Sequence, residues 1–139
     1  DGVHLGQHDL PLTVAREMLH PWQFIGSSNA LAGEAISSYQ AGAEYIAVGS
    51  MFNTSSKLNT RWAGPDTLRQ IHGFLPVERP PLVAIGGITR QNVALVAQAG
   101  ADGICVISTV TAAEDPEAAA RELLEAFREA QKGDSVTIG

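Results

Sequence analysis

Leu82-Val83-Ala84-Ile85-Gly86-Gly87-Ile88, followed by Thr89, is the stretch on which the rest of the chain is organised. An apolar run meets two glycines, and a helix start is expected straight after, with Thr89 as its cap. Such a strand ends in a turn where backbone N–H groups lie bare. Glycine lets a ligand approach that backbone closely, and a helix N-terminus favours an anion. The expectation is a phosphate seat at the C-terminal end of a parallel strand. The plainer alternative is a tight turn between strand and helix with no ligand.

Working outward, the same pattern recurs. On the C-terminal side, Val93, Ala94, Val96 and Ala97 give the next helix its apolar face, Gly100 closes it, and 103–108 is a strand ending in Ser108. Asp115-Pro116 pairs an N-cap with proline at the first helical position. Leu123, Leu124 and Phe127 are expected to face inward from that last helix, Gly133 ends it, and 134–139 is a tail. On the N-terminal side, Pro76, Pro80 and Pro81 form a connector, and Pro65 opens a helix carrying Leu68 and Ile71. A long polar loop, 50–64, separates that helix from the strand 45–49; loops of this length in compact domains commonly serve a function. Further upstream, Leu31, Ala35, Ile36 and Tyr39 recur at helical spacing between a candidate cap at Asn29 and Gly42. The strand 24–26 runs into Ser27 and Ser28. A first helix begins at Pro11, with Val14, Ala15, Met18 and Leu19 as its apolar face, after the strand 3–6.

The 139 residues suffice for one domain with a real core. A 45% hydrophobic and 17% charged composition reads as globular, and a net charge of −6 argues against a general nucleic-acid surface. The single Cys105 excludes an internal disulfide framework; set in an apolar run, it is expected as a buried, inert thiol. No apolar run reaches membrane-spanning length and no signal peptide is evident, so a cytoplasmic protein with no membrane partner is the expectation.

Ala41-Gly-Ala-Glu-Tyr-Ile-Ala-Val-Gly-Ser50 echoes Ala99-Gly-Ala-Asp-Gly-Ile-Cys-Val-Ile-Ser108, and Asp1-Gly2-Val3 resembles the end of a third copy. Repeated strand–helix units with continuous apolar strands imply a parallel sheet covered by helices. A doubly wound sheet concentrates its glycines in the first such turn. Here glycine or serine ends every strand (Gly6, Ser28, Gly49, Gly86 and Gly87, Ser108), as in a barrel whose ligand is ringed by strand ends. The expected fold is therefore α/β, a (β/α)8 TIM barrel represented by about five units, strands 4–8. Residues 1–133 would form its C-terminal part, with three units upstream of a truncated N-terminus.

The polar residues of interest fall just after strands. Asp9 is either a first-turn carboxylate or a hard-metal ligand, magnesium with substrate phosphates. Thr54, Ser55, Ser56 and Lys57 are either a solvated loop or donors to a phosphate or diphosphate. Gly86, Gly87 and Ser108 are the candidate phosphate seat, as barrels often bind phosphate after their last two strands. His4, His8, His20 and His72 form no metal spacing and take no role; His4 is expected to be packed. Arg61 and Trp62 lie late in the loop, where they can cover a pocket or do nothing.

Taken together, residues 1–10 (Asp-Gly-Val-His-Leu-Gly-Gln-His-Asp-Leu), Ile25-Gly-Ser-Ser28, Gly49 through Lys57, Val83-Ala-Ile-Gly-Gly-Ile88, and Ala99-Gly-Ala-Asp-Gly103 with Val106-Ile-Ser108 resemble thiamine phosphate synthase. The resemblance runs in order to about residue 130 and corresponds to the C-terminal two-thirds of that family's (β/α)8 barrel. It implies a transferase of thiamine biosynthesis that couples hydroxymethylpyrimidine diphosphate to thiazole phosphate through a pyrimidine-methyl cation, releasing diphosphate. It implies Mg2+ as cofactor, with Asp9 as its ligand. Ser28 and Lys57 would contact the pyrimidine diphosphate and carry the catalysis, and Thr54, Ser55 and Ser56 would touch the thiazole phosphate. Gly87, Ile107 and Ser108 would complete that phosphate's seat. A homo-oligomer, or fusion to another thiamine-pathway domain, is in keeping with the family.

The chain departs from the family at His8, where an acidic residue is usual, and at Asn29-Ala30, where Thr-His is usual. In the long loop, Asn53 and Ser55 replace prolines and Ser56 replaces a threonine. The family's second magnesium-binding Asp, its neighbouring Asn and a Gln/Lys clamp fall upstream of residue 1, so the 139-residue piece is expected to be inactive alone and to expose unpaired strand edges. Two alternatives stand beside the synthase. A thiazole tautomerase shares the fold and typically has a histidine where Ser50 stands. A non-catalytic phosphate-binding barrel domain is the other.

Overall fold

The computed structural model describes residues 1–53 and 61–133. Five strands, β1 (Gly2–Leu5), β2 (Phe24–Asn29), β3 (Tyr45–Val48), β4 (Leu82–Ile85) and β5 (Gly103–Cys105), pair in parallel in the order β1-β2-β3-β4-β5. Among the described residues, six helices connect or follow them: α1 (Leu12–Met18), α2 (Ala32–Gln40), α3 (Gly64–Phe74), α4 (Val93–Gln98), α5 (Ser108–Thr111) and α6 (Pro116–Gly133). Spatial order that follows chain order is that of a barrel wall. A doubly wound sheet reverses direction at a switch point, and this one does not. The architecture is thus α/β with a parallel TIM-barrel-like sheet.

The period-two alternation of the strands sorts their side chains. Ile25, Ser27, Asn29, Ile46, Val48, Leu82 and Ala84 are buried beneath the helices, which contribute Ala35, Leu68, Ile71, Val93, Val96, Leu123 and Phe127 to one core. Each large apolar side chain buried there contributes about 1.5–3 kcal/mol. The other face, bearing His4, Phe24, Ser28, Tyr45, Ile85 and Cys105, carries no helix among the described residues and is exposed or half-buried. Cys105 is therefore exposed, not buried as its apolar flanks implied, because it points to this uncovered face from the edge strand β5.

Other expectations need correction for similar reasons. Val14 and Met18 of α1 are exposed, Met18 at 74%, since α1 flanks the edge strand β1 and only Ala15 is buried among the described residues of that helix. Leu124 is exposed, while Leu123 and Phe127 face the core. Strand β2 extends to Asn29, which is not a helix cap. Its amide is buried, donating to the Ser27 and Ala47 carbonyls and the Ser27 hydroxyl and accepting from the Ser38 hydroxyl at 2.8 Å. Glu34 caps the start of α2 instead, accepting the Ala30 and Leu31 N–H groups. Asp115-Pro116 opens α6 as its sequence implied, with the Asp115 carboxylate accepting the Ala118 N–H at 3.0 Å.

The repeated Ala-Gly-Ala-acid stretch has a mechanical role. Glu44 Oε2 accepts the Ile25 N–H and Asp102 Oδ2 accepts the Leu82 N–H, each at 2.8 Å, so each carboxylate grips the start of the preceding strand. The Glu44 and Asp102 N–H groups donate to the carbonyls of the same two residues, both at 2.8 Å. Arg16 and Arg79 pair with the two acids at 3.3 and 2.6 Å. The echo thus secures the N-terminal ends of the strands, opposite the rim where the polar residues gather.

Candidate active site

Parallel strands deliver all their C-terminal ends to one rim. One hydrogen-bonded polar group there centres on Ser28. His4, Gly26 and Tyr45 occupy one row across β1, β2 and β3. A Cβ on Gly26 would stand 1.8 Å from Tyr45 Cζ, so only glycine lets the phenol ring lie across β2. The ring thereby brings its hydroxyl to His4 Nδ1 at 2.7 Å, while His4 Nε2 lies 2.5 Å from Ser28 Oγ. Phe24 packs edge-on against Tyr45, with ring centroids 6.2 Å apart. His4 is exposed and hydrogen-bonded, not packed in the core. Sequence reasoning missed His4 and Tyr45 as site residues. The available signal was parity, since His4, Gly26 and Ser28 fall on one face once the strands are registered.

The β1–α1 loop holds Asp9. Its Oδ2 accepts the Gly6 N–H at 2.7 Å and its own N–H donates to the Gly6 carbonyl, so part of its role is to close the turn. The carboxylate is exposed and Gly6 takes only one oxygen, which suits a hard cation shared with phosphate oxygens and water. Among the described residues no group of three or more acids, histidines or cysteines gathers to hold a metal without such help. Gln7 anchors this loop to the end of β2, donating to the Ser28 carbonyl at 2.8 Å and to Asn29 Oδ1 at 3.3 Å.

The double glycine has a packing reason of its own. Gly86 and Gly87 adopt φ of 106° and 63°. A Cβ at Gly87 would stand 2.4 Å from the Asn53 carbonyl oxygen, and one at Gly86 would stand 2.3 Å from Ser50 Oγ. The Met51 and Phe52 N–H groups donate to the Ile85 and Gly86 carbonyls at 2.9 and 3.0 Å, so the start of the β3–α3 loop lies directly on this turn. The helix does not begin at Thr89: Asn92 Oδ1 accepts the Thr89 N–H, and α4 starts at Val93. A helix N-terminus does not therefore point from the glycines. Whatever anion affinity they have comes from the backbone N–H groups of a half-buried turn.

Strand β5 ends at Cys105, shorter than expected, and Ser108 is the first residue of α5. Ile107 and Ser108 are both exposed. Thr109 Oγ1 donates to the Ile88 carbonyl at 2.5 Å, which ties this turn to the double-glycine turn. Gly87 and Ser108 thus lie on two turns fastened to each other.

At the two ends of the segment 50–64, Met51 and Ala63 are buried. Ser50 is also buried. Its hydroxyl donates to the Phe52 carbonyl at 2.6 Å, and its carbonyl accepts the Ala63 and Gly64 N–H groups. Arg61 pairs with Glu34 at 2.6 Å, which makes it a clasp between the loop's end and α2. Burial alone would raise the Glu34 pKa, but the Arg61 hydrogen bond, the Ala30 and Leu31 N–H groups and the Arg61 charge outweigh it and hold the carboxyl below its ordinary value. Trp62 is exposed, and His20 stacks on the exposed Trp22 away from the rim. Thr54, Ser55, Ser56 and Lys57 lie outside the described residues.

Comparison with known proteins gives the same direction from independent ground. A family model described as thiamine monophosphate synthase matches residues 1–110. The thiamine-phosphate synthase of Chlorobium luteolum is 43% identical over 96% of this chain and 62% of its own length. The bifunctional ThiM/ThiE protein of Symbiobacterium thermophilum is 45% identical over 94% of this chain and 27% of its own length. Among solved structures, thiamine phosphate pyrophosphorylase from Pyrococcus furiosus superposes with a TM-score of 0.82 at 40% identity, over 94% of this chain and 60% of that one. The chain spans about three-fifths of the length of the curated single-function relatives it matches. With the family model covering most of the chain and a family structure superposing on its fold, the chain belongs to the thiamine monophosphate synthase family.

Proposed function

We propose that the protein containing this chain is a thiamine phosphate synthase, a transferase that joins hydroxymethylpyrimidine diphosphate to thiazole phosphate. In this reading the chain is strands 4–8 of a (β/α)8 barrel. The clamp at Glu44 and Asp102 supports that assignment: Asp1 stands at the equivalent sequence position before β1, an edge strand that a further parallel strand would pair with. A cytoplasmic setting goes with the reading, as does fusion to another thiamine-pathway domain of the kind named in the Symbiobacterium relative.

The observation that carries the proposal is the sharing of one rim by Asp9, Ser28 and the joined Gly87 and Ser108 turns. Ser28 Oγ would donate to the diphosphate of the pyrimidine substrate, and Lys57 would neutralise it. Asp9 would hold magnesium, which when bound supplies charge compensation to the departing diphosphate. The Gly87 backbone with Ile107 and Ser108 would seat the thiazole phosphate, and Thr54, Ser55 and Ser56 would close around it. Phe24, Tyr45 and Ile85 give the uncovered face an aromatic and apolar surface against which the heterocycles would pack. The chemistry needs no covalent help from the protein. The bond to diphosphate would break to give a pyrimidine-methyl cation, the thiazole nitrogen would attack that carbon to form the new C–N bond, and the protein would contribute positioning and charge stabilisation.

The tautomerase alternative asks for a proton-transferring side chain just after β3. Ser50 stands there 6% exposed with its hydroxyl engaged by Phe52, which favours the synthase. The test uses the intact protein with both substrates and magnesium. Thiamine phosphate should form, and Ser28→Ala, Lys57→Ala and Asp9→Asn should each lower kcat by about 10²-fold or more. Undiminished turnover in all three would overturn the site assignment. Turnover of a thiazole substrate alone, without metal, would identify a tautomerase.

A further inference from the structure

We propose that Tyr45, His4 and Ser28 form a one-way hydrogen-bond relay that fixes the His4 tautomer and turns the Ser28 hydroxyl into a proton donor aimed at a bound anion. His4 and Tyr45 are positioning residues in this scheme, acting through Ser28. The inference rests on the synthase reading only for the identity of the anion.

The geometry joins the three side chains, and the acidity of the two hydroxyls sets the direction of the relay. A neutral imidazole has one N–H and one acceptor nitrogen. Both hydroxyl partners can donate or accept, but the Tyr45 phenol is the more acidic, hence a better donor and poorer acceptor than the Ser28 alcohol, and its distance of 2.7 Å from Nδ1 is that of a good hydrogen bond. Burial, reinforced by the nearby Cys105, pushes the Tyr45 phenol above its ordinary range, so the hydroxyl keeps its proton. With Tyr45 donating to Nδ1, the imidazole proton belongs on Nε2. Nε2–H then donates to Ser28 Oγ at 2.5 Å, occupying an oxygen lone pair. The serine proton is left to point away from His4, into the uncovered face of the sheet. A diphosphate oxygen can only accept, so a serine used as acceptor by His4 and as donor by its own O–H is matched to it. The opposite tautomer would draw the serine proton toward His4 and present a lone pair to the anion.

The relay is also built into the fold. Gly26 has no side chain, and the Tyr45 ring fills the space a Cβ would take. The Ser28 carbonyl is held by Gln7 at 2.8 Å, which fixes the backbone from which Oγ projects. Three strands in fixed register therefore supply the three members of the relay.

Nitrogen NMR of the intact protein reads the tautomer directly. His4 is expected as the Nε2–H form, and Tyr45→Phe should shift it toward a mixture. A wild-type His4 in the Nδ1–H form would overturn the relay whatever the enzyme's activity. Binding of inorganic diphosphate with magnesium gives the second measurement. His4→Leu should weaken it about tenfold, and His4→Gln, which keeps an N–H near the Nε2 position, should restore most of it. In a Ser28→Ala background His4→Leu should have no further effect. An undiminished effect in that background would show that His4 acts independently of Ser28, and the relay would be wrong. Failure of turnover with the two thiamine precursors, with the tautomer and diphosphate results intact, would count against the synthase reading and leave the relay standing.

Discussion

Replacing Gly26 with alanine tests whether the Tyr45 ring is placed by the missing side chain. The new Cβ would stand 1.8 Å from Tyr45 Cζ and 2.2 and 2.4 Å from the adjoining ring carbons. Ordinary contact lies near 3.5–4.0 Å, so the ring must move by more than an ångström. The backbone cannot move instead, because Gly26 pairs with β1 on one side and β3 on the other. Tyr45 is half-buried on the uncovered face, so it can swing outward. Swinging outward breaks the bond to His4, about 0.5–1.5 kcal/mol, and the edge contact with Phe24, about 0.5–1.5 kcal/mol. Alanine returns about 0.5–1 kcal/mol by restricting the unfolded chain. The net expectation is a loss of about 1 kcal/mol in urea unfolding of the intact protein. In a Tyr45→Ala background the clash is gone, and Gly26→Ala should be neutral or stabilising. An equal loss in both backgrounds would refute the reasoning, since the cost would then not come from the ring.

Asp102→Ala should destabilise by about 2–3 kcal/mol, because it strands the Leu82 N–H and leaves Arg79, whose side chain is only 12% exposed, without its carboxylate. The equivalent Glu44→Ala should cost less, about 1 kcal/mol, as both members of the Arg16–Glu44 pair are more open to water; unfolding midpoints check the ranking. Glu34 has its pKa lowered in the folded protein, so its contribution is present above the ordinary value of 4.5 and is lost as pH falls below that through the folded value. Glu34→Gln should therefore flatten the loss of stability on the acid side of 4.5, measured as urea midpoints against pH. Gly87→Ala combines a φ of 63° with a Cβ 2.4 Å from the Asn53 oxygen and should cost about 1–3 kcal/mol. Under the synthase reading it also raises KM for thiazole phosphate more than KM for the pyrimidine substrate.

Much of the fold was legible because the relevant signals are local. Apolar runs ending in glycine or serine marked five strands, Gly42 and Gly100 marked helix ends, and Asp115-Pro116 marked the start of α6. The repeat of Ala-Gly-Ala-acid was visible as well, although its purpose was not: a carboxylate gripping the N–H of a neighbouring strand needs two segments brought together. Candidate residues at strand ends were legible as a set, since parallel strands must present their C-terminal ends on one side. Burial was harder to read. Cys105 looked like a core residue by its neighbours and is exposed because the helices cover one face of the sheet, whereas Val14 and Met18, on the expected apolar face of α1, are exposed because α1 flanks the edge strand β1.

By itself, then, the sequence determined that this is a parallel α/β protein with a glycine-rich rim, and its motifs carried the family resemblance. Only the tertiary structure decided which side chains act on one another. It ordered the strands β1 to β5 without a reversal and set Tyr45 over Gly26, so that His4 reaches Ser28. It also showed that Gly86 and Gly87 are required by the segment packed against them, whether or not an anion binds. The physical reason is range. Propensity, periodicity and capping act within one turn or one strand, whereas strand register and close backbone approach join residues far apart in the chain. Those long-range contacts are fixed by packing that no single segment encodes.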